Sequence, residues 1–113
     1  MRKVDKPWGH ELIWAETQKY VGKILHIEKG FCLSLQYHNI KDETLLVQSG
    51  LLLLELGRDY TRQTIKLKPG DSYHIPPGLI HRMSALDGPV DVIEVSTPEL
   101  DDIVRLEDKY GRA

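Results

Sequence analysis

The 113-residue sequence predicts an all-β fold, an antiparallel sandwich or barrel. Three observations point to it: short strand-forming runs recur at even spacing, Gly, Pro and Asp separate them, and the central run alternates apolar with polar residues. In order, strands are expected over 11–15 and 22–28, the latter ending before Gly30, and over 33–38. The next two, 44–48 and 51–56, are closed by Gly50 and Gly57. Segment 63–67 stops at Pro69-Gly70, 72–75 at Pro76-Pro77-Gly78, and 80–85 before Asp87-Gly88-Pro89, which leaves 90–96 as the last strand. From Pro98 to Arg112, acidic residues come early and basic ones late, around Ile103, Val104 and Leu106, so a short C-terminal helix or tail is expected.

With 41% hydrophobic and 28% charged residues, the chain has the composition of one globular domain over 1–113, with no second domain. Fifteen basic residues are interspersed among seventeen acidic ones, for a net charge of -2, so there is no electrostatic footprint for nucleic acid. The start, Met1-Arg2-Lys3-Val4-Asp5-Lys6, leads into no apolar signal segment, and the longest apolar run, Leu51 to Leu54, is too short to span a bilayer. A soluble, cytoplasmic protein without membrane partners is expected. Cys32 is the single cysteine and lies in an apolar stretch, which excludes an internal disulfide and favours a buried, inert thiol. No Gly-rich phosphate loop is present, which argues against nucleotide chemistry.

Two segments carry the candidate chemistry. The first runs from Gly30 through Gln36, His38 and Glu43 to Gly50, and the second from Gly70 through Pro76 and Gly78 to His81. On an extended strand Gln36 and His38 project from one face, while Glu43 returns on the next strand and His81 on a more distant one. Two imidazoles, a carboxylate and an amide oxygen form a thiolate-free set that suits a divalent metal with open positions. Zinc is foremost, with manganese, cobalt, nickel or iron(II) as alternatives. An isolated histidine is ordinarily just hydrogen-bonded, but here each sits at a fixed offset from glycines, a proline and a second ligand type.

These segments resemble the two motifs of the cupin superfamily, small double-stranded β-helix or jelly-roll barrels. Gln36 stands at the first motif's first His, and Ala85 where the second motif usually ends in Asn. Further stretches are similar to type II phosphomannose isomerases, often the C-terminal domain of a bifunctional mannose-1-phosphate guanylyltransferase. These are Lys6-Pro7-Trp8-Gly9, Leu33 to His38, Asp101-Asp102-Ile103-Val104-Arg105, and Glu107-Asp108-Lys109-Tyr110-Gly111-Arg112. That family commonly has Arg at Lys6 and Lys41 and a His-Trp pair at Thr44-Leu45, replacements expected to lie beside the site.

The resemblance implies a metal-dependent isomerase interconverting mannose 6-phosphate and fructose 6-phosphate. Such a reaction removes a proton next to a carbonyl, with the metal stabilising the enediolate that develops. Candidate bases are Glu94, Glu11, His26 and Tyr73, and the phosphate is expected to meet Arg105, Lys23 or Arg82. Two other readings stand beside it: a non-catalytic sugar-binding or sensory cupin, and an iron-dependent dioxygenase. Leu51 to Leu54 and Leu45 to Val47 read as apolar on both faces, and burying them economically calls for a homodimer.

Overall fold

The computed structural model describes residues 1–112, and it is built from strands throughout. In chain order these are β1 (Arg2–Lys6), β2 (Gly9–Glu16), β3 (Val21–Ile27), β4 (Phe31–Cys32), β5 (Leu35–Tyr37) and β6 (Glu43–Ser49). They continue with β7 (Leu52–Leu56), β8 (Gln63–Leu67), β9 (Ser72–Ile75), β10 (His81–Ala85), β11 (Val90–Ser96) and β12 (Val104–Glu107). One sheet has the order β1-β2-β3-β11-β6-β9 and the other β12-β5-β10-β7-β8, with β4 also pairing β10. Every pairing is antiparallel. The order is non-sequential because β11 inserts between β3 and β6, and β10 between β5 and β7, which wraps the chain into a jelly roll.

The first sheet's inward face explains where the site lies. At one level Leu25, Val92 and Val47 stand side by side and belong to the core, together with Ile27, Leu54, Ile75 and Val90. One level along, the inward residues of β3 and β11 become Lys23 and Glu94, both buried. The core therefore fills one end of the barrel and leaves a polar wall at the other. Gly50 closes the turn into β7 at φ 80°, with the Pro89 carbonyl oxygen only 2.3 Å from where a Cβ would sit.

All nine expected strands form, the third shortened to Leu35–Tyr37. The expected C-terminal helix does not: Val104–Glu107 is a strand on the free edge of β5. One of the acidic residues that follow Pro98, Asp102, instead accepts with its carboxylate from the backbone N–H groups of Asn39, Ile40 and Lys41. The hydrogen-bonding edge of β5 then outcompetes a short mixed-charge helix. The two apolar runs present apolar side chains to both faces. Leu45, Val47, Leu52 and Leu54 point inward and are buried, whereas Leu46 points outward and is exposed, so pleating divides each run between two environments. Among the described residues, no helix is long and apolar enough to cross a membrane.

Candidate metal centre and cavity

His38, Glu43 and His81 converge. One ligand atom from each lies within 4.8 Å of the others, and all three residues are buried. Glu43 opens β6, His81 opens β10, and His38 follows β5 directly. The Pro76-Pro77-Gly78 turn brings His81 into place: Gly78 takes φ 85°, and its N–H donates to the His38 carbonyl at 2.7 Å. Gln36 pairs with His81 across β5 and β10, so it belongs to the same inward row. The Ser34 hydroxyl donates to Gln36 Oε1 at 2.6 Å.

Proton placement shows what the cluster can hold. His38 Nδ1 lies 2.6 Å from the Asp102 carbonyl and His81 Nδ1 2.9 Å from the Leu79 carbonyl. A carbonyl only accepts, so both Nδ1 atoms carry the hydrogen and, in the neutral imidazoles, both Nε2 atoms present lone pairs. Those lone pairs face Glu43 Oε1 at 3.6 and 3.3 Å, and all three atoms are buried without a hydrogen-bond partner among the described residues. Acceptors facing a carboxylate in a dry site call for a cation between them. The donor set therefore fits a divalent metal.

Lys41 ties this cluster to the cavity. Its Nζ lies 3.1 Å from Glu43 Oε2 and 3.4 Å from Glu94 Oε2, all three side chains being buried. Burial pushes Glu43 up, but His38 and His81, when Nε2 carries a proton and donates to it, and the Lys41 ammonium outweigh burial and hold the carboxyl well below its usual range in the metal-free chain. Glu94 goes the other way, to about 7, because burial and then the Glu43 charge outweigh Lys41 and Lys23. Lys41 itself is held charged, the two carboxylates prevailing over its desolvation.

A cavity of about 340 Å³ opens above the cluster. Its wall on the first sheet carries Glu11, Lys23 and Glu94, and on the second Gln36 and Arg105, which pair across β5 and β12. Arg105 makes no ion pair among the described residues, and its Nε is buried without a partner. Lys6 also lines this space, as does Trp8, while Arg112 is engaged by Asp108.

The other expected site residues lie elsewhere. His26 faces outward on β3, bonded to Asp91 at 2.7 Å and stacked on His10, because it alternates with the inward Leu25. Tyr73 packs against the core from edge strand β9 and does not reach the cavity wall. Arg82 follows His81 and so projects from the opposite face, where it pairs with Glu55 and Glu107. Of the four replacements expected beside the site, Lys6 and Lys41 line the cavity, whereas Thr44 is on the outward face and Leu45 is in the core. Sequence reasoning placed Lys41 beside the site without giving it a role, and passed over Asp102 and Ser34 as site residues.

A jelly roll of this strand order around a His/His/Glu cluster defines a cupin. A solved structure from Klebsiella pneumoniae, an uncharacterized conserved protein with a double-stranded β-helix domain, superposes with a TM-score of 0.72 at 23% identity, covering 85% of this chain and 82% of that one. The chain belongs to the family described as mannose-6-phosphate isomerase C-terminal, whose model matches residues 1–108. Curated relatives include the xanthan biosynthesis protein XanB of Xanthomonas campestris, 35% identical over 98% of this chain and 24% of the relative. The mannose-1-phosphate guanylyltransferase ManC of Salmonella typhimurium is 32% identical over 98% and 23%. The chain thus spans about a quarter of the length of the curated relatives it matches.

Proposed function

We propose that this chain is a metal-dependent isomerase interconverting mannose 6-phosphate and fructose 6-phosphate. The observation that carries the reading is Glu94: a buried carboxyl on the cavity wall, poised near neutrality and joined through Lys41 to the Glu43 end of the cation site. A general base works best when its pKa matches the ambient pH, and Glu94 meets that condition. In the proposed reaction its carboxylate takes the proton from the hydroxyl-bearing carbon beside the carbonyl and returns it to the former carbonyl carbon, while the hydroxyl proton passes to the former carbonyl oxygen, so that carbonyl and hydroxyl exchange places. Zinc is the preferred ion, and a cation held by His38, Glu43 and His81 with Gln36 alongside supplies Lewis acidity toward the oxygens that gain charge. Lys41 bridges Glu43 and Glu94 and screens their repulsion, and Arg105, without an acidic partner among the described residues, offers a planar fork to the phosphate. The family description and the mannose-phosphate chemistry in the ManC name support the same substrate class.

The test is direct. Protein reconstituted with zinc, cobalt, manganese or nickel is incubated with mannose 6-phosphate while fructose 6-phosphate is followed, with His81→Ala as control. Turnover that is lost in the control is expected. Turnover undiminished by His81→Ala excludes this site, and binding without turnover under every metal leaves a sugar-phosphate-binding cupin instead.

A further inference from the structure

We propose that the Glu11–Lys23 ion pair is a hydroxyl-recognition subsite that takes two adjacent hydroxyl groups of a polyhydroxylated ligand. Lys23 Nζ and Glu11 Oε1 are 3.2 Å apart, and both side chains are largely shielded, at 8% and 13% exposure. Both line the cavity, on the wall opposite Gln36 and Arg105.

Folding alone does not account for a charge pair here. Desolvating two charges costs about what their attraction returns, so an apolar pair of similar size serves the fold as well. The neighbouring inward positions illustrate this: Glu11 stands beside Leu25, which stands beside Val92, and both are core residues. The pair also keeps hydrogen-bonding capacity in reserve. Among the described residues Lys23 donates one bond, to Glu11, whereas an ammonium has three donors; Glu11 uses one oxygen and keeps the other. A carboxylate that accepts an O–H beside an ammonium that donates to the next oxygen matches a vicinal diol. Leu25, Leu33 and Met83 line the same cavity and suit the C–H face of a sugar ring.

The same geometry separates this role from phosphate binding. Lys23 is already neutralised by Glu11 and has Glu94 as its cross-strand neighbour, a poor setting for a phosphate dianion, whereas among the described residues Arg105 pairs with no carboxylate. The subsite rests on the isomerase reading only in that the ligand is a sugar phosphate.

Calorimetric titration of the metal-loaded chain with mannose 6-phosphate, and separately with inorganic phosphate, tests it. Lys23→Met and Glu11→Gln are each expected to weaken mannose 6-phosphate at least tenfold and to leave inorganic phosphate within twofold of wild type. The double variant Glu11→Leu/Lys23→Met is expected to keep the wild-type Tm, which separates lost recognition from lost folding. Wild-type affinity for mannose 6-phosphate in the single variants overturns the subsite, as does equal weakening of both probes, and in either case wild-type turnover leaves the isomerase reading standing. Selective weakening in a chain that never converts the sugar keeps the subsite and removes the isomerase. If the wild type binds no mannose 6-phosphate, both fall.

Discussion

The carbonyl of Asp102 lies 2.6 Å from His38 Nδ1, while the carboxylate of the same residue accepts from the backbone N–H groups of Asn39, Ile40 and Lys41 at 3.0, 2.6 and 2.9 Å. One residue of the C-terminal segment thus fixes the tautomer of a metal-facing imidazole and the path of the loop that delivers Lys41 and Glu43. Supports of this kind are worth about 10–100-fold in metal affinity when removed. Asp102→Ala is expected to weaken zinc binding by about that range, measured by competition against a chromophoric chelator. Unchanged affinity would show that the loop holds its shape without the clamp.

Asp102 also sets an acid limit. Its three backbone hydrogen bonds lower its pKa to about 2, below the ordinary value of 3.8. A carboxyl ionised more readily in the folded than the unfolded chain adds stability above the unfolded value, and this is lost as pH falls from about 4 through 2. Metal-free wild type is therefore expected to lose stability over that window more steeply than Asp102→Asn. Denaturant titrations at a series of pH values check this, and parallel curves for the two proteins would count against it.

Metal removal provides an independent check. An ion bound only by the folded chain stabilises it by about 2.7 kcal/mol at a hundred times its Kd. Wild type is expected to show a metal-dependent rise in Tm that chelation reverses. His81→Ala and Glu43→Gln should show no such rise at the same metal concentration. A full shift in either variant would place the ion elsewhere.

For Glu94, the proposed base, activity is expected to rise as the carboxyl ionises through pH about 7. Glu94→Gln keeps the volume and loses the base, with a fall in kcat of about 10²–10⁴. The measurement is the pH dependence of kcat/KM together with the kcat of the variant. A variant with wild-type kcat would hand the proton transfer to another group.

The strands and the convergence of His38, Glu43 and His81 were legible in the sequence for the same reason: period-2 alternation assigns a face, and these residues each stand at a fixed distance from a turn glycine or proline. The remaining assignments depended on contacts that spacing does not encode. Parity could not choose among Glu94, His26 and Tyr73, because which face of β3 or β9 looks into the cavity depends on strand order, set by β11 inserting between β3 and β6. Arg82 follows His81 directly, so the alternation that turns His81 inward turns Arg82 outward, to Glu55 and Glu107. The C-terminal segment read as a helix because its pairing with β5 and its grip on 39–41 join residues about sixty positions apart.

Gly9 extends that lesson to a residue whose sequence context gives little away. It follows the buried Trp8 at the start of β2 with φ 150°, and a Cβ there would lie 1.9 Å from the His26 carbonyl oxygen, a backbone atom that cannot swing aside. A side chain must therefore either force β2 from β3 or strain its own backbone, and β3 carries Lys23 into the cavity. Gly9→Ala is expected to destabilise the fold by about 3 kcal/mol or more, where Gly→Ala at a compatible position stabilises by about 0.4–1 kcal/mol. Gly70→Ala offers the contrast: its φ of 93° is also positive, but among the described residues nothing lies within 4 Å of the built Cβ, so only the backbone term applies. Urea unfolding of the two variants side by side separates the terms, and equal losses would mean that the close approach to His26 adds nothing beyond the cost of the dihedral angle.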